Sequence, residues 1–572
     1  MQFFKYLLCT LVYININAQS APITIDGVFD DWTDNLTTFT DVTESISGVD
    51  LLEIQVTNDA DYLFIKIKTN TEFDLTDDTT PQDIGLFIDT DNSTNTGYNI
   101  QSGYGSELGL LFNQYSAHYN VTPYSLIGFS DFGFRSAPTV TSNEFEIAIR
   151  RDAIPDGVNS LFTNNTIRIL LKNSNNSDSL PNIGTVFSYT FDNTPVATFT
   201  PTEINKDNSN FLRIMAYNTE QDGLNSAARL PYFERIVGTI NPDIIGFLEC
   251  WNTTTTQVKS LMDMWLPLGT VDGWYVIKKG SSIIASKWSF LQSWYSIDRQ
   301  FPVLIDLPSS FSTDLLFTNA HLKCCDDGDV LRQEQADQYA EFILDAKTVG
   351  GVIDLPQNTP FIYAGDLNLV GSSIPLTTLI TGDIQDTVTY GNGAPLDWDD
   401  TNLTDQNIIQ SDARMAYTWR KDNTQYPPGK LDFLIHSDAV INIEKSFILQ
   451  TEVMSSSRLS QYGLNEFDTS NASDHFPVVS DFTINATASI NQKMVKNTVS
   501  IYPNPATTEV TIQIKNKDIH LVKLIDLYGK TVFQTSVIQN GKIDIKYLKK
   551  GVYFINIIAV NGTAYMNKLV KL

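Results

Sequence analysis

The chain has 572 residues, of which 42% are hydrophobic and 11% aromatic, and its formal net charge is −28 at pH 7. This length exceeds what one hydrophobic core accommodates, so we expect two to four domains. The negative charge argues against a broad basic surface for nucleic acid or for an anionic membrane. It does not exclude an acidic enzyme that handles phosphates through bound cations.

The N-terminus reads MQFFKYLLCTLVYININAQS and has the pattern of a signal peptide. Lys5 supplies a short positive region, residues 6–14 form an apolar stretch, and Ala18 suits the position before cleavage. This stretch is too short to cross a membrane, and no later stretch is long enough. We therefore expect residues 1–18 to be removed and the mature chain to be exported without a transmembrane segment.

Residues 20–195 contain strand-like runs separated by turn residues, among them LLEIQVTND, YLFIKIKTN, EFEIAIRRD and IRILLKN. Helical periodicity is scarce here, so a β-sandwich is predicted. The stretches ITIDGVFDDW and FIDTDNSTNTGY resemble carbohydrate-binding modules of the family-nine-like type. That resemblance implies binding to a glycan or a cell surface. Asp89 and Asp91 alternate on one short loop and could hold a structural Ca²⁺, with an Asx-rich turn without metal as the alternative.

A polar segment, residues 196–210, follows as a predicted linker, and the pattern then changes. Strand-like runs such as FLRIMAYN, PDIIGFLE and DLLFTNAHL alternate with helical patterns such as ARLPYFERIVGTI and DVLRQEQADQYAEFILDAK. This alternation predicts an α/β domain over residues 211–482. A second linker is expected at residues 483–497.

Polar side chains end or border the apolar strands of the α/β segment. In FIYAGDLNLV, Asp366 and Asn368 are two residues apart, and on an extended chain such side chains point the same way. Burying many polar groups at strand ends is costly unless they pair with each other or with a metal. The other residues of this pattern are Asn218, Glu249, His321, Asp432, Asp474 and His475.

The pieces MAYN, NPDIIGFLE, TNAHL, AGDLN, KLDFLI and SDHFPV resemble, in this order, the endonuclease/exonuclease/phosphatase superfamily, the DNase I-like metal-dependent phosphoesterases. The resemblance implies a four-layer α/β sandwich of two mixed sheets covered by helices. It also implies that Asn218 and Glu249 are ligands of a divalent cation, with Asp474 assisting. Oxygen and amide ligands suit Mg²⁺, Mn²⁺ or Ca²⁺.

The same resemblance implies the catalytic roles. Asp366 matches the aspartate that orients or deprotonates the attacking water, and Asn368 matches the amide that contacts the phosphate. His475 matches the catalytic histidine, oriented by Asp432. His321 resembles the second histidine of the secreted nucleases of this superfamily.

Three cysteines remain once the signal peptide is removed, so at most one bridge forms within the chain. Cys250 follows Glu249, and Cys324 and Cys325 lie shortly after His321. Because both places follow site residues at strand ends, we expect Cys250 to pair with Cys324 or Cys325. Three free thiols are the alternative.

Residues 498–572 carry SIYPNPATTEVTIQI, LIDLYGKTV, LKKGVYFINI and a final NKLVKL. Together these resemble the type A sorting domain of the type IX secretion system of Bacteroidetes. The resemblance implies a C-terminal β-sandwich that engages the type IX machinery. The protein is then expected to be secreted or held at the outer-membrane surface.

The sequence thus predicts a secreted, metal-dependent phosphoester hydrolase, most simply a phosphodiesterase acting on extracellular nucleic acid. One alternative is a phosphodiesterase of phospholipid head groups, similar to sphingomyelinases, and another is a phosphomonoesterase. A different class is a glycan- or surface-binding protein with an inactive hydrolase domain.

Overall fold

The structure of the chain is a computed structural model that describes residues 20–44, 46–75, 84–485, 499–514, 519–525, 530–536, 541–559 and 564–572. The predicted signal peptide (1–18) lies outside the described residues, as does most of the predicted second linker (483–497). The chain divides into two compact units, Met1–Ile490 and Asn491–Leu572. Among the described residues, none of the helices has the length and apolar character needed to span a membrane.

The N-terminal part of the first unit is built from antiparallel strands in two sheets, with strand orders β1-β2-β3-β9-β8 and β11-β10-β4-β5-β6-β7, and β12 pairs with β10. The strands are β1 Thr37–Thr40, β2 Leu51–Asn58, β3 Tyr62–Phe73, β4 Ile84–Asp89, β5 Leu108–Leu111, β6 Ser116–Tyr119, β7 Ser125–Ile127, β8 Arg135–Ala137, β9 Ser142–Arg150, β10 Thr166–Asn173, β11 Asp178–Leu180 and β12 Ser188–Thr190. Buried side chains from both sheets form one hydrophobic core.

Strand β3 shows why the first sheet is buried on both faces. Leu63, Ile65 and Ile67 alternate along the strand and lie in the core shared by the two sheets. Phe64 points the other way and joins a second core with Ile25 and Trp32 of the N-terminal segment. Both faces of the sheet are therefore covered by protein.

The DGVFDDW stretch is held by one buried carboxylate. Glu146 Oε1 accepts the main-chain N–H groups of Asp26 and Gly27, both at 2.6 Å. Glu146 Oε2 accepts the indole N–H of Trp32 at 2.9 Å. These contacts give this part of the ITIDGVFDDW motif a structural role, because they fix the N-terminal segment against the first sheet.

The central part of the first unit contains two six-stranded mixed sheets, ordered β15-β16-β14-β13-β24-β23 and β17-β18-β19-β20-β22-β21. Its strands are β13 Leu212–Asn218, β14 Ile244–Leu248, β15 Tyr275–Lys279, β16 Ser282–Ser286, β17 Phe290–Ser293, β18 Gln300–Ile305, β19 Leu315–His321, β20 Phe361–Asp366, β21 Thr404–Asp405, β22 Asp432–His436, β23 Ile441–Ile448 and β24 Val478–Ile484. Its α-helices are α1 Leu230–Ile240, α2 Thr255–Trp265, α3 Asp329–Lys347, α4 Ile374–Thr381, α5 Thr387–Tyr390, α6 Ser456–Tyr462 and α7 Asp468–Ala472. Short 3₁₀ helices in the first unit lie at Phe112–Gln114, Phe129–Phe132, Gly223–Asn225, Asp326–Gly328 and Thr451–Val453.

The two central sheets share a core, and helices pack on their other faces. Ile214 on β13 and Phe317 on β19 belong to the same buried cluster, so side chains of the two sheets meet. Phe233 of α1 packs in a cluster with Phe247 of β14. Ile343 of α3 lies in a further cluster with residues of β19 and β20. This region therefore has the predicted α/β character. The chain as a whole has the predicted multidomain organisation.

The predicted linker at residues 196–210 is largely exposed but is anchored at one buried residue, Ile204. Ile204 is fully buried. Its N–H donates to the hydroxyl of Tyr462 at 3.1 Å, and its carbonyl accepts Arg213 Nη1 at 2.7 Å. Side chains of the central part thus fix this segment at Ile204.

The N-terminal and central parts form one compact unit, which the sequence did not predict. Ile25 pairs through its backbone with Arg414 and Ala416, at 3.0 and 2.9 Å. The hydroxyl of Thr139 donates to the carbonyl of Leu369 at 2.8 Å, and the N–H of Thr141 donates to the carbonyl of Gly371 at 2.7 Å. The N-terminal sandwich therefore contacts the chain segment that directly follows Asp366 and Asn368.

A buried ion pair between β13 and β24 is expected to contribute strongly to stability. Arg213 binds Asp481 in a bidentate manner, at 2.5 and 2.6 Å, and their side chains are 1% and 0% exposed. Asp481→Asn leaves the buried guanidinium without its counter-charge, so we expect it to lower the free energy of unfolding by about 3–5 kcal/mol. Thermal unfolding of the full chain measures the effect on the first unit.

The matched control for this prediction is Asp152→Asn. Asp152 pairs with Arg150 in the N-terminal sandwich, and both side chains are more than half exposed. Solvent screens such a pair, so the expected loss is at most about 1 kcal/mol. Equal shifts of the unfolding midpoint in the two variants would contradict the assigned importance of Arg213 and Asp481.

The second unit is all β over its described residues. Its strands form two sheets, β25-β26-β29 and β28-β27-β30-β31. They are β25 Val499–Tyr502, β26 Glu509–Ile514, β27 Ile519–Ile525, β28 Thr531–Thr535, β29 Lys542–Asp544, β30 Gly551–Ala559 and β31 Ala564–Lys571. Val510 on β26 and Leu524 on β27 belong to one buried cluster, so the two sheets share a core.

Candidate active site

Strand pairing brings the predicted site residues to the ends of the two central sheets. In one sheet Asn218 ends β13 and lies opposite Leu248 of β14, directly before Glu249. In the other sheet His321 lies opposite Asp366, and Asp366 lies opposite Asp432. The register alone therefore places three of the predicted catalytic residues in one row.

The Asn218 amide connects the two sheets at this point. Its Nδ2 group donates to Asp366 Oδ2 at 2.9 Å and to Glu249 Oε1 at 3.2 Å, and lies 3.4 Å from His475 Nε2. Its Oδ1 atom accepts the N–H of Glu220 at 3.0 Å. Asn218 thus holds two carboxylates and faces one histidine, although its own oxygen already has a partner.

His475 is paired with Asp432 as predicted. The imidazole Nδ1 lies 2.8 Å from Asp432 Oδ2, and Nε2 lies 3.6 Å from Asp366 Oδ2. Burial by itself would lower the pKa of His475, but the carboxylates of Asp432 and Asp366 outweigh it and raise the pKa above its ordinary value. The imidazolium form is therefore favoured, with Nδ1–H donating to Asp432.

In contrast to His475, the environments of Asp366 and His321 shift the pKa of each side chain towards its neutral form. Burial raises the pKa of the Asp366 carboxyl, although the charge of His475 and the hydrogen bond from Asn218 oppose the shift. Burial, together with the positive charges of Arg299 and His475, lowers the pKa of His321 to about 3. His321 is therefore neutral, with Nε2 3.6 Å from Asp366 Oδ2 and 3.9 Å from Glu249 Oε1.

Two carboxylates and one imidazole at this site could hold a cation. Ligand atoms of Glu249, His321 and Asp366 all lie within 4.8 Å of one another. Asp474 is not in this group, because its Oδ2 accepts Lys421 Nζ at 3.2 Å. Of the two predicted acidic ligands, Glu249 is in this group and Asp474 is not, and Asn218 contacts both carboxylates of the group.

The expectation that Asp366 and Asn368 face one point because the chain is extended is wrong in its geometry. Strand β20 ends at Asp366, and Asn368 has a φ of 50°, as Glu249 after β14 has a φ of 58°. The N–H of Asn368 donates to Asp366 Oδ1 at 2.9 Å, and its Nδ2 donates to the carbonyl of Leu322 at 3.3 Å. A turn, not strand alternation, keeps Asn368 beside the site.

Gly365 lies where two neighbouring strands leave no space for a side chain. Its φ is 137°, and a Cβ there would lie 2.1 Å from the carbonyl oxygen of Ala320 on the neighbouring strand. Only glycine lets β20 approach β19 this closely immediately before Asp366.

The structure adds supporting residues that the sequence did not single out. Ser473 donates its hydroxyl to the carbonyl of Asn218 at 2.8 Å and accepts the N–H of His475 at 3.1 Å. Asn319 Nδ2 donates to the carbonyl of Phe247 at 3.1 Å, joining β19 of one sheet to β14 of the other. Both residues lie within the quoted motifs SDHFPV and TNAHL, but nothing in their spacing distinguished them from neighbouring polar residues.

The predicted bridge from Cys250 to Cys324 or Cys325 is not formed, and the three cysteines are free. Cys250 is fully buried beneath its sheet, with Sγ 3.5 Å from the carbonyl of Leu248, and burial raises its pKa to about 12. Cys324 and Cys325 lie in a loop, with their Sγ atoms 2.7 Å apart. The expectation overlooked that a residue after a strand end can turn into the core.

The second candidate metal pair, Asp89 and Asp91, lies at the end of β4 in the N-terminal sandwich. The structure adds Glu107 to it, since ligand atoms of all three lie within 4.8 Å of one another. This cluster contains none of the predicted catalytic residues.

Comparisons with known proteins bear mainly on the C-terminus. A search of curated proteins finds no significant match. Solved structures similar to the chain include D. rerio TDP2 complexed with single-strand DNA product (14% identity, 48% of this chain and 100% of that one, TM-score 0.32). Two others are the human Nocturnin catalytic domain with bound sulfate (14%, 48% and 95%, 0.31) and sphingomyelinase C from Streptomyces griseocarneus (16%, 48% and 99%, 0.30). Residues 500–572 match the family model of the secretion system C-terminal sorting domain, so the chain carries the sorting domain that its sequence predicted.

Proposed function

We propose that this chain is an exported, divalent-metal-dependent phosphoester hydrolase, with phosphodiesters of extracellular nucleic acid as its first candidate substrate. The observation that carries the proposal is the contact of Asn218 Nδ2 with Glu249, Asp366 and His475, which gathers groups from both central sheets. The proposal includes the four-layer arrangement of two sheets and covering helices that the sequence resemblance implies.

The donor set supports a hard divalent cation. Glu249 Oε1 and Asp366 Oδ2 share a single amide hydrogen-bond donor, Asn218, and the neutral His321 faces both of them. Asp366 is buried and Glu249 is half-buried, and two carboxylates so close together repel unless positive charge compensates them. When bound, a divalent cation neutralises the phosphate charge and polarises the ester for attack.

Residues of the chain transfer the protons and contact the phosphate. Asp366, whose pKa is raised by burial, accepts the proton of the attacking water. His475 in its imidazolium form donates to a phosphate oxygen, and Asp432 fixes its ring through Nδ1. Asn368 contacts the phosphate with its amide, and His321 faces Glu249 and Asp366 as a neutral imidazole.

Three alternatives remain for this site. A phospholipid head-group phosphodiester and a phosphomonoester present the same phosphate chemistry to the same residues. A surface-binding protein with an inactive hydrolase domain would not need the His475–Asp432 pair, which is intact at 2.8 Å. The glycan- or surface-binding role of residues 20–195 stays a prediction from their resemblance to carbohydrate-binding modules.

A substrate panel with the full mature chain tests the proposal. The full chain is needed because the N-terminal sandwich binds the carbonyls of Leu369 and Gly371 next to the site. The panel contains plasmid DNA, RNA, sphingomyelin, bis-p-nitrophenyl phosphate and p-nitrophenyl phosphate, each with Mg²⁺, Mn²⁺ or Ca²⁺. Hydrolysis that is lost in Asp366→Asn supports the proposal. No turnover of any substrate with any cation favours the binding protein.

The sorting domain leads to a prediction about export. We propose that it directs the chain through the type IX secretion system to the medium or the outer-membrane surface. A variant that ends at residue 490 should keep its hydrolytic activity, because the first unit contains the whole candidate site. It should accumulate in the periplasm, as measured by activity and immunoblot of cell fractions.

Full-length Glu249→Gln is the matched control for the truncation. It should be exported normally even though its hydrolysis is impaired, because it keeps residues 491–572. Normal release of the truncated chain would contradict a role of the sorting domain in export.

A further inference from the structure

Three carboxylates converge where the β4–β5 hairpin opens. Ile88 of β4 lies opposite Leu108 of β5, so Asp89 and Glu107 flank the last pair of the ladder. Asp91 follows two residues after Asp89, and ligand atoms of the three carboxylates lie within 4.8 Å of one another. Antiparallel pairing thus brings Glu107 to the two aspartates across a long loop.

One carboxylate oxygen of this cluster is buried without a partner. Asp89 is 0% and Glu107 is 4% exposed. Glu107 Oε2 accepts the N–H of Thr90 at 2.8 Å, but Oε1 has no hydrogen-bond donor among the described residues. A buried acceptor left unsatisfied in this way is costly, and it points to a ligand that would satisfy it.

The excess negative charge of the three carboxylates also favours binding of a cation. Arg168 pairs with the cluster, its Nη1 lying 3.5 Å from Asp89 Oδ2. One guanidinium against three carboxylates leaves an excess of negative charge in a largely buried place.

The loop between Asp89 and Gly97 is folded over the carboxylates. The N–H of Ser93 donates to Asp89 Oδ1 at 3.0 Å and to Asp91 Oδ1 at 2.9 Å. The hydroxyl of Thr96 donates to Asp91 Oδ2 at 2.7 Å. The loop therefore has a defined conformation that orients both aspartates.

Two glycines make this close approach sterically feasible. A Cβ at Gly97 would lie 2.7 Å from Glu107 Oε1. A Cβ at Gly105 would lie 2.3 Å from the carbonyl oxygens of both Ser93 and Thr96. The missing side chains leave room beside Glu107 Oε1 and let the 93–96 backbone approach Gly105 closely.

We propose that Asp89, Asp91 and Glu107 bind one Ca²⁺ ion that fastens the 90–97 loop to the N-terminal sandwich. All candidate ligands are oxygens, which selects a hard cation. Calcium binds oxygens at about 2.3–2.6 Å and tolerates irregular geometry, whereas magnesium demands a near-ideal octahedron at about 2.0–2.1 Å. Opposite ligands of calcium are thus about 5 Å apart, which accommodates the separations in this cluster. The site stabilises the sandwich and takes no part in the hydrolysis.

Thermal unfolding of the full mature chain, stripped with chelator and desalted, tests this site. A saturating Ca²⁺ concentration should raise the unfolding midpoint of the first unit by about 5 °C, since the ion binds only the folded state. The rise should disappear in Glu107→Gln, which keeps the side-chain shape and removes the charge. It should persist in Glu249→Gln, which alters the candidate active site instead.

Elemental analysis of the desalted variants provides the second readout. Glu144→Gln is the matched control, because Glu144 lies on β9 of the same sandwich and pairs with Lys68 away from the cluster. It should retain the bound Ca²⁺. If Glu107→Gln does not fold, Asp91→Asn, at a more exposed position, takes its place.

Three results would overturn the proposal. The first is an unchanged Ca²⁺ shift in Glu107→Gln and Asp91→Asn. The second is a shift that is lost only in Glu249→Gln, which would assign the ion to the candidate active site. The third is an equal shift with Mg²⁺ at the same concentration, which would exclude a calcium-selective site.

Discussion

Replacing His475 with alanine is expected to lower the rate of phosphoester hydrolysis by about 10²–10⁴-fold, the range typical of a positioned acid–base group. Asp432→Asn should cost somewhat less, because the imidazole remains but loses its orientation and its charge partner. The double variant should be no slower than His475→Ala alone, because residues that act as a unit are strongly non-additive. The 2.8 Å contact between His475 Nδ1 and Asp432 Oδ2 is the physical reason.

Steady-state kinetics of the four proteins on one substrate of the panel measure this cycle. His118→Ala is the matched control. That histidine lies in the N-terminal sandwich and contacts Tyr124 in an exposed position. Its replacement should leave the rate unchanged. Independent, multiplicative losses at Asp432 and His475 would mean that they do not act as a pair, and the assignment of the site would have to be revised.

Removal of divalent cations is expected to abolish hydrolysis, and Mg²⁺, Mn²⁺ or Ca²⁺ should restore it. Glu249→Gln should raise the cation concentration needed for half-maximal activity and should strongly lower the maximal rate. The glutamine oxygen can still accept the N–H of Gln221, which Glu249 Oε2 accepts at 2.7 Å. The loop contact is thus kept, while the negative charge and the acceptor for Asn218 Nδ2 are lost.

The cation requirement has to be separated from the proposed structural calcium. Glu107→Gln removes that second site and should leave the cation dependence of hydrolysis in place. Activity is measured after exhaustive chelation and then during titration with each cation. Full turnover in excess chelator would disprove a metal-dependent mechanism.

Local sequence patterns predicted the strands and helices, and the resemblance to a known superfamily supplied the candidate site residues. Helix α3 and strand β19 lie where their apolar periodicities predicted them. The site residues at strand ends were recognisable because a polar group after an apolar run is conspicuous and costly to bury. Asp366, Asp432 and His475 therefore appear together in the structure, as the resemblance to DNase I-like enzymes implied.

The sequence predicted side-chain orientation poorly at positions next to strand ends. Asp474 pairs with Lys421, and Cys250 turns into the core, because the chain leaves the strand conformation near each of them. Asn368 and Glu249 have left-handed backbone conformations that strand alternation does not anticipate. The direction of these side chains depends on the local backbone conformation, which the residue types alone did not specify.

The sequence by itself determined the exported character expected of the chain, the β and α/β regions, the sorting domain and the residue types of the proposed phosphoesterase site. Only the tertiary structure decided that the N-terminal sandwich and the central part form one unit, and that Glu107 joins Asp89 and Asp91. It also decided that Asn218 bridges the two sheets. These contacts join residues far apart in the chain, and their partners are set by strand register and sheet packing, which depend on the whole fold rather than on any local pattern.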